Sequence, residues 1–470
     1  MPDATRPNVL FILADDQRFD TLGALGRCPV QTPNLDRLMQ RGTTFTHAHV
    51  MGGSSGAVCM PSRAMIHTGR TLYSLDEAGH NIPADHTMLG EHLRANGYHT
   101  WGCGKWHQTA DAFQRSFADG DEIFFGGMTD HWNVPAHHYD PTGQYDNHLP
   151  ICPTPMQNNE VVQRHCDHIE AGKHSSELFA DAAIRFVENA SRETPRLTYV
   201  SLLAPHDPRN MPQRFLDMYN PDAIELPENY LPVHPFDNGE LSVRDEKLAG
   251  FPRTESEVRR HIAEYYAMIS HLDHEMGRVV DALESTGQLE NTIVVFAGDN
   301  GLSVGQHGLM GKQSLYDHSV RVPIVMAGPG VPENQRSHSL CYLLDIFPTL
   351  CDLLGLDTPA SVEGNSLQPC LDDPSASVRD VLHLAYRHLM RGVSDGRHKL
   401  IEYAVKGHRR TQLFDLENDP WETTDLIDDP AYADTVTTLR REVENWRNNL
   451  NDHWEPQGGV FWQTYDHPAV

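Results

Sequence analysis

Three stretches of this chain read as strands buried in a sheet, and each runs directly into residues that carry chemistry. Val9 to Leu13 is a continuous apolar run that ends at Ala14-Asp15-Asp16-Gln17. Leu197 to Leu203 ends at Ala204-Pro205-His206-Asp207-Pro208-Arg209, and Ile293 to Phe296 ends at Ala297-Gly298-Asp299-Asn300-Gly301. An uninterrupted apolar strand is typical of a parallel sheet covered on both faces, and ligands of open α/β sheets gather at the C-terminal strand ends. Adjacent carboxylates such as Asp15 and Asp16 are costly at such an end unless a cation pairs with them. A solvated acidic turn is the alternative reading. With Asp299 and Asn300 the set consists of hard oxygen ligands, which select Ca2+ or Mg2+ over zinc.

A second feature is Cys59-Met60-Pro61-Ser62-Arg63, continuing Ala64-Met65-Ile66-His67-Thr68-Gly69-Arg70. Pro61 suits the first turn of a helix and Gly69 its end. Cys59 then sits at a helix N-terminus, where free N–H groups and the helix dipole favour an anion. Arg63, four residues on, shares its face and can reach back to it. A cysteine so placed is a candidate nucleophile; a buried core cysteine is the bland alternative. Downstream, His99 to Cys103 reads as a short strand ending at Gly104-Lys105-Trp106-His107, with Lys105 and His107 able to point to one side.

The other elements fit an α/β chain. Helices are expected from Thr32 to Met39 (closing at Gly42), from Leu89 to Ala95, from Ser175 through Val187, from Glu255 to Ser285 and from Asp345 to Leu354, with a strand from Val322 to Met326. Past Pro374 the pattern changes to short strands, at Val381 to Ala385, Gly392 to Ser394, His398 to Tyr403 and Gln412 to Leu416, with a helix from about Ala433 to Leu450. The expectation is a large, mixed, mostly parallel sheet flanked by helices in residues 1–373. A smaller α+β subdomain, an antiparallel sheet with one covering helix, follows in residues 374–470. A chain of 470 residues is long enough for both.

The formal charge of -28, from 37 basic and 65 acidic residues, argues against nucleic acid and anionic membrane as partners. No run is long enough to span a membrane. The opening residues lack a basic segment with an apolar stretch and cleavage site, so a cytoplasmic location is expected, or a periplasmic or secreted one if a signal was removed. The 8 cysteines are scattered without a C-x-x-C pair, so neither a zinc knuckle nor a disulfide framework is indicated.

The string C-x-P-S-R, four residues, then T-G-R resembles the signature of the type I sulfatases of the alkaline phosphatase superfamily. Asp15-Asp16, Gly104 to His107, Pro205-His206, Asp299-Asn300 and Lys312 follow that family's order. The resemblance implies that Cys59 is oxidised to formylglycine by a maturation enzyme. It implies that Asp15, Asp16, Asp299, Asn300 and the modified Cys59 hold a divalent cation, Ca2+ first and Mg2+ second. One hydroxyl of the aldehyde hydrate then attacks sulfur, and the second lets the aldehyde reform as sulfate leaves. Lys105 and Lys312 clamp the sulfate oxygens. His206 protonates the leaving alcohol with Lys312, His107 helps deprotonate the hydrate, and Arg63 orients it.

The expected partner is a small sulfated substrate. The resemblance favours a sulfated mono- or oligosaccharide, with a choline sulfatase, or a phosphodiester or phosphonate monoester hydrolase of the same superfamily, as alternatives. The latter hydrolases typically show Asp-His where this chain has Asp299-Asn300. A metal-dependent binder of sulfated sugars with a dead site is the non-enzyme reading. Candidate contacts to the alcohol are His131, Trp132 and His137 in the loop from Asp130 to Asp140, then Asp207, Arg209 and Arg409. The loop reads equally as a packed structural segment, and His408-Arg409-Arg410 as a solvated loop. A choline site should show an aromatic cage.

Overall fold

The computed structural model describes residues 6–450, 452 and 457–469. In chain order the first strands are β1 (Asn8–Ala14), β2 (Gly42–His49), β3 (Gly52–Gly53), β4 (His99–Lys105), β5 (Asp119–Phe124), and the hairpin β6 (His148–Ile151) and β7 (Val162–His165). There follow β8 (Arg196–Ser201), β9 (Thr292–Gly298), β10 (Arg321–Ala327), β11 (Gln335–Ser337) and β12 (Cys341–Tyr342). The last four are β13 (Leu382–Tyr386), β14 (Met390–Ser394), β15 (His398–Val405) and β16 (His408–Asp415).

Nine strands form one sheet in the order β11-β2-β10-β9-β1-β8-β4-β5, with β12 also on β2. Only β10 runs against its neighbours. The alternation of side chains along β1 shows why its apolar run is unbroken. Val9, Phe11 and Leu13 enter one hydrophobic core, and Leu10, Ile12 and Ala14 enter the other. Helices Cys59–Thr68, Leu89–Ala95 and Ile346–Leu354 pack on the first side. Helices Pro33–Gln40, Ser175–Asn189 and Glu255–Ser285 pack on the second.

The smaller sheet has the order β16-β15-β14-β13-β3. Its last four strands in sequence are antiparallel, but β3 adds to β13 in parallel and comes from residues 52–53 of the larger unit. Two helices rather than one cover it, Ala433–Asn449 and Gln457–Asp466, through Val436, Leu439, Val443, Phe461 and Trp462. No helix among the described residues is long and apolar enough to cross a membrane.

The two sheets are joined by a buried charge cluster. Lys399 of β15, fully buried, donates to Leu315 O at 3.2 Å, to Glu422 Oε1 at 2.7 Å and to Asp317 Oδ1. Glu422 in turn accepts the Asp317 N–H at 2.8 Å. The segment that carries Lys312 is thereby fastened to the small sheet. Asp317 keeps Arg321 at 3.2 Å, but Lys399 is the cation that bridges it to Glu422, and removing one partner of a buried ion pair is strongly destabilising. Lys399→Met is therefore expected to cost about 3–5 kcal/mol, read as a shift of the urea midpoint. An unchanged midpoint would show that this cluster does not hold the units together.

Candidate active site

Strands β9, β1, β8 and β4 are consecutive neighbours and parallel, so their C-terminal ends deliver Asp299-Asn300, Asp15-Asp16, His206 and Lys105 to one place. The helix Cys59–Thr68 points its first residue at that place and ends on Gly69 in the left-handed conformation (φ 63°). Ser62 fastens the helix there by donating to Asp299 O at 2.5 Å.

Cys59 Sγ lies 3.3 Å from His107 Nδ1, 3.6 Å from Lys105 Nζ and 3.9 Å from Lys312 Nζ. Each lysine is also anchored on a carboxylate: Lys105 on Asp15, and Lys312 on Asp16 Oδ1 at 2.6 Å. His206 Nε2 stands 3.6 Å from Asp16 Oδ2, with Nδ1 on Asp207 O at 2.7 Å. Arg63 does not reach back to the sulfur. Its Nε is spent on Asp299 Oδ2 at 2.9 Å, and its Nη1 on Lys105 O at 2.7 Å and Ser201 Oγ at 2.5 Å. Asp16 (φ 69°) and His107 (φ 70°) both hold left-handed backbone, a cost that side chains fixed at a site repay.

The electrostatics follow from burial. Burial pushes the Cys59 thiol up, so an unmodified thiolate is disfavoured there despite two lysines. Burial, with Lys105 and Arg63 beside it, pushes His107 down to about 2 and keeps the ring neutral. Burial opposes the charge of Lys312, yet Asp16, Cys59 and Asp15 hold it well above the usual lysine range. Burial and the charge of Asp15 push Asp299 up, while Lys105, His206 and Arg63 overcome burial to hold Asp15 well down. Crowded carboxylates with opposed shifts are what a cation relieves.

The donors present fit a hard divalent cation. Asp15, Cys59 and Asp299 bring ligand atoms within 4.8 Å of one another, and so do Asp15, Asp16 and His206. Asp15 Oδ1 and Asn300 Oδ1 are buried without a hydrogen-bond partner. Asn300 Nδ2 meanwhile donates to Asp16 Oδ1 at 2.5 Å.

A family model for sulfatases matches residues 7–356, nearly three quarters of the chain. The chain belongs to the sulfatase family. It is a sulfuric ester hydrolase by that membership. A second model, the C-terminal part of N-sulphoglucosamine sulphohydrolase, matches residues 305–449, which spans both the Lys312 segment and the small sheet. An arylsulfatase of Clostridium perfringens is 28% identical, with 93% of each chain covered. The solved structure of BT4656 in complex with its substrate, D-glucosamine-2-N,6-O-disulfate, matches with TM-score 0.75 at 21% identity over 97% of this chain and 99% of that one. The phosphonate monoester hydrolase of Agrobacterium radiobacter matches with TM-score 0.71 at 23% identity over 95% and 96%.

In this sulfatase a cavity of about 270 Å³ opens above Cys59, lined by His107, His206 and Lys312. Most of the alcohol-side contacts expected from the sequence lie elsewhere. His131 is buried behind His206, its Nε2 at 2.9 Å from His206 O and its Nδ1 at 2.7 Å from Ser175 Oγ. Trp132 packs on His174, and His137 on Phe125 and Tyr145. Arg209 turns to His261, with Nη1 at 2.8 Å from Nδ1. Arg409 belongs to β16, where it pairs with Glu402 and covers the Tyr465 ring, so it is neither a loop residue nor a cavity residue. Asp207 stays near the site as the partner of Arg244. Among the described residues none of the loop from Asp130 to Asp140 lines the cavity; Gly127 and Met128, just before it, do. The remaining lining comes from Gly56, Ala57, Val243, Arg244, Asp245 and Gln313, none of which carried a sequence signal.

Proposed function

We propose that this sulfatase hydrolyses the sulfate ester of a small carbohydrate through formylglycine at Cys59, with Ca2+ held by Asp15, Asp16, Asp299 and Asn300. The observation that carries this reading is the convergence of Lys105, Lys312 and His107 on Cys59 Sγ within 3.9 Å, beside that carboxylate set. A divalent cation held by these residues would supply positive charge toward the sulfate oxygens and would lower the pKa of the nucleophile. Formylglycine, made by a formylglycine-generating enzyme, supplies a hydrated aldehyde where a thiol is a poor anion.

The chain's own groups do the rest. Lys105 and Lys312, both buried at the floor of the cavity, bind sulfate oxygens where the low local dielectric makes such charges act strongly. Neutral His107 offers Nδ1 as the hydrogen-bond acceptor that orients the group at position 59 and helps draw off its proton. His206, fixed by the Asp207 carbonyl and backed by His131, donates a proton to the leaving alcohol. Arg63 keeps Asp299 and Ser201 in register and touches no substrate.

The carbohydrate assignment rests on the few hydrogen-bonding side chains, Arg244, Asp245 and Gln313 with His107, His206 and Lys312, set in a lining that is otherwise mostly apolar. The aromatics of the loop pack inward, so sugar stacking there is not its basis. Apart from His107 and His206, no ring lines the cavity among the described residues, and a choline cage is missing with them. The BT4656 structure, bound to a sulfated glucosamine, supports a sugar substrate.

The test is inorganic sulfate release by ion chromatography, from protein whose Cys59 peptide has the mass of formylglycine. Monosulfated sugars, choline sulfate, an aryl sulfate and phosphodiesters form the panel. Sulfate from sugars is expected; phosphate-ester cleavage without sulfate release would move the chain to the phosphonate-hydrolase reading. Asp299→Ala is expected to lose bound Ca2+ on elemental analysis, and unchanged metal content would reject that ligand.

A further inference from the structure

We propose that Arg244 and Asp245 read the alcohol half of the substrate and restrict the enzyme to singly sulfated sugars with a free, uncharged hydroxyl beside the ester. This rests on the sulfate-ester reading above. Arg244, Asp245 and Glu246 open a run of four charged residues that enters a short 3-10 turn, Asp245–Leu248, and each of the three grips a different part of the site. Arg244 Nη1 donates to Asp207 Oδ1 at 2.8 Å and Nη2 donates to Asp207 Oδ2, next to His206. Asp245 Oδ2 accepts from Gln313 Nε2 at 2.7 Å, next to Lys312. Buried Glu246 accepts the backbone N–H groups of Met310 at 3.0 Å and Gly311 at 2.9 Å, and its charge is met by Arg253 at 2.5 Å. The turn is thus tied to the acid on one side and to the sulfate clamp on the other. Its exposed face forms the cavity wall with Val243 and Gln313.

The charges on that wall decide what it accepts. Arg244 faces two carboxylates, Asp207 and, at 3.1 Å, Asp245. Its charge is already compensated. The Asp207 side chain is only 5% exposed, so drawing Arg244 away would strand a buried carboxylate. Lys312 is committed to Asp16 and to the scissile sulfate. A second sulfate or a carboxylate on the sugar would therefore meet no spare cation on this wall and would face Asp245.

A hydroxyl fits instead. It can donate to Asp245 and accept from Arg244 Nε–H, which has no partner among the described residues, while the Arg244 side chain is 45% exposed. A quaternary ammonium could form neither bond. Hydrogen bonds to charged groups of this kind are each worth about 10- to 100-fold in discrimination.

The experiment uses mature enzyme and compares kcat/KM for sulfate release. Its substrates are the best of a panel of monosulfated hexoses, the analogue lacking the hydroxyl next to the ester, the counterpart with a second sulfate, choline sulfate and 4-nitrophenyl sulfate. Losing the hydroxyl is expected to cost about 10- to 100-fold, and adding a sulfate about 100-fold or more through like-charge repulsion. Arg244→Ala and Asp245→Asn are each expected to lower the sugar-to-aryl ratio about tenfold or more, mainly through KM. The proposal is overturned if the disulfated sugar or choline sulfate is turned over as well as the monosulfate, or if both variants keep the parent ratio. Absence of sulfate release from every ester, the aryl sulfate included, would overturn the sulfatase mechanism itself and this proposal with it.

Discussion

Cys59→Ala is expected to abolish sulfate release, by about 10⁴-fold or more, in a chain that still folds. The side chain is small and 2% exposed, and it opens a helix in which alanine is at least as favourable. Its loss strands no charge, because Lys105 remains on Asp15 and Lys312 on Asp16. Position 59 is nevertheless the point on which both lysines and His107 converge, so the reacting atom goes with it. Cys59→Ser is expected to be nearly as inactive. Its single hydroxyl could attack, but it has no second one through which to expel sulfate. Ion chromatography reads the rate, and circular dichroism with a urea midpoint reads the fold. Turnover within tenfold of the parent, in a folded Cys59→Ala protein, would remove the nucleophile from this position.

That centre was legible because it is built on strand ends. A carboxylate pair after a doubly buried strand has few cheap explanations, and four such ends had to meet if their strands were neighbours. The parts that escaped sequence reading escaped for physical reasons. β2, Gly42-Thr43-Thr44-Phe45-Thr46-His47-Ala48-His49, carries few aliphatics and begins at the glycine read as a helix stop, yet it is the strand that β10, β11 and β12 all join. β5 opens Asp119-Gly120-Asp121-Glu122, which reads as a turn until pairing with β4 fixes it. The aromatics and histidines between residues 126 and 140 suggested a sugar platform, but rings also serve as core, and here Phe125, His137 and Tyr145 pack on one another. The Arg244 turn has no periodicity at all. Its importance arises from contacts with residues 37 and 68 positions away, to Asp207 and Gln313, which no local pattern encodes.

Lowering the pH from 7.5 to 5.5 is expected to remove several kcal/mol of stability, well before the carboxylates in ion pairs titrate. The chain has 29 histidines, and an unusual share are buried and neutral. Burial pushes His67 and His307 down to about 3, and His131 and His234 down to about 4. Above pH 6.5 these rings are neutral in both folded and unfolded chains and cost nothing. Between pH 6.5 and about 4 the unfolded chain takes up protons that the folded chain refuses, so stability falls with pH. At pH 5.5 each such ring costs about 1.4 kcal/mol. Burial also pushes Glu422 up to about 7 and Asp273 up to about 6. Their native forms bind protons before the unfolded chain does, which offsets part of that loss. His174 and His318, held well below the ordinary histidine value by burial, add to the loss. Urea midpoints measured from pH 7.5 to 5.0 should therefore drop steeply below 6.5. The slope should be shallower by about one proton in His67→Phe, since His67 sits 4.6 Å from Trp106 and 4.9 Å from Tyr199 with Nε2 unpartnered. A midpoint flat from pH 7.5 to 5.5 would mean that these rings take up protons in the native protein as readily as in the unfolded chain.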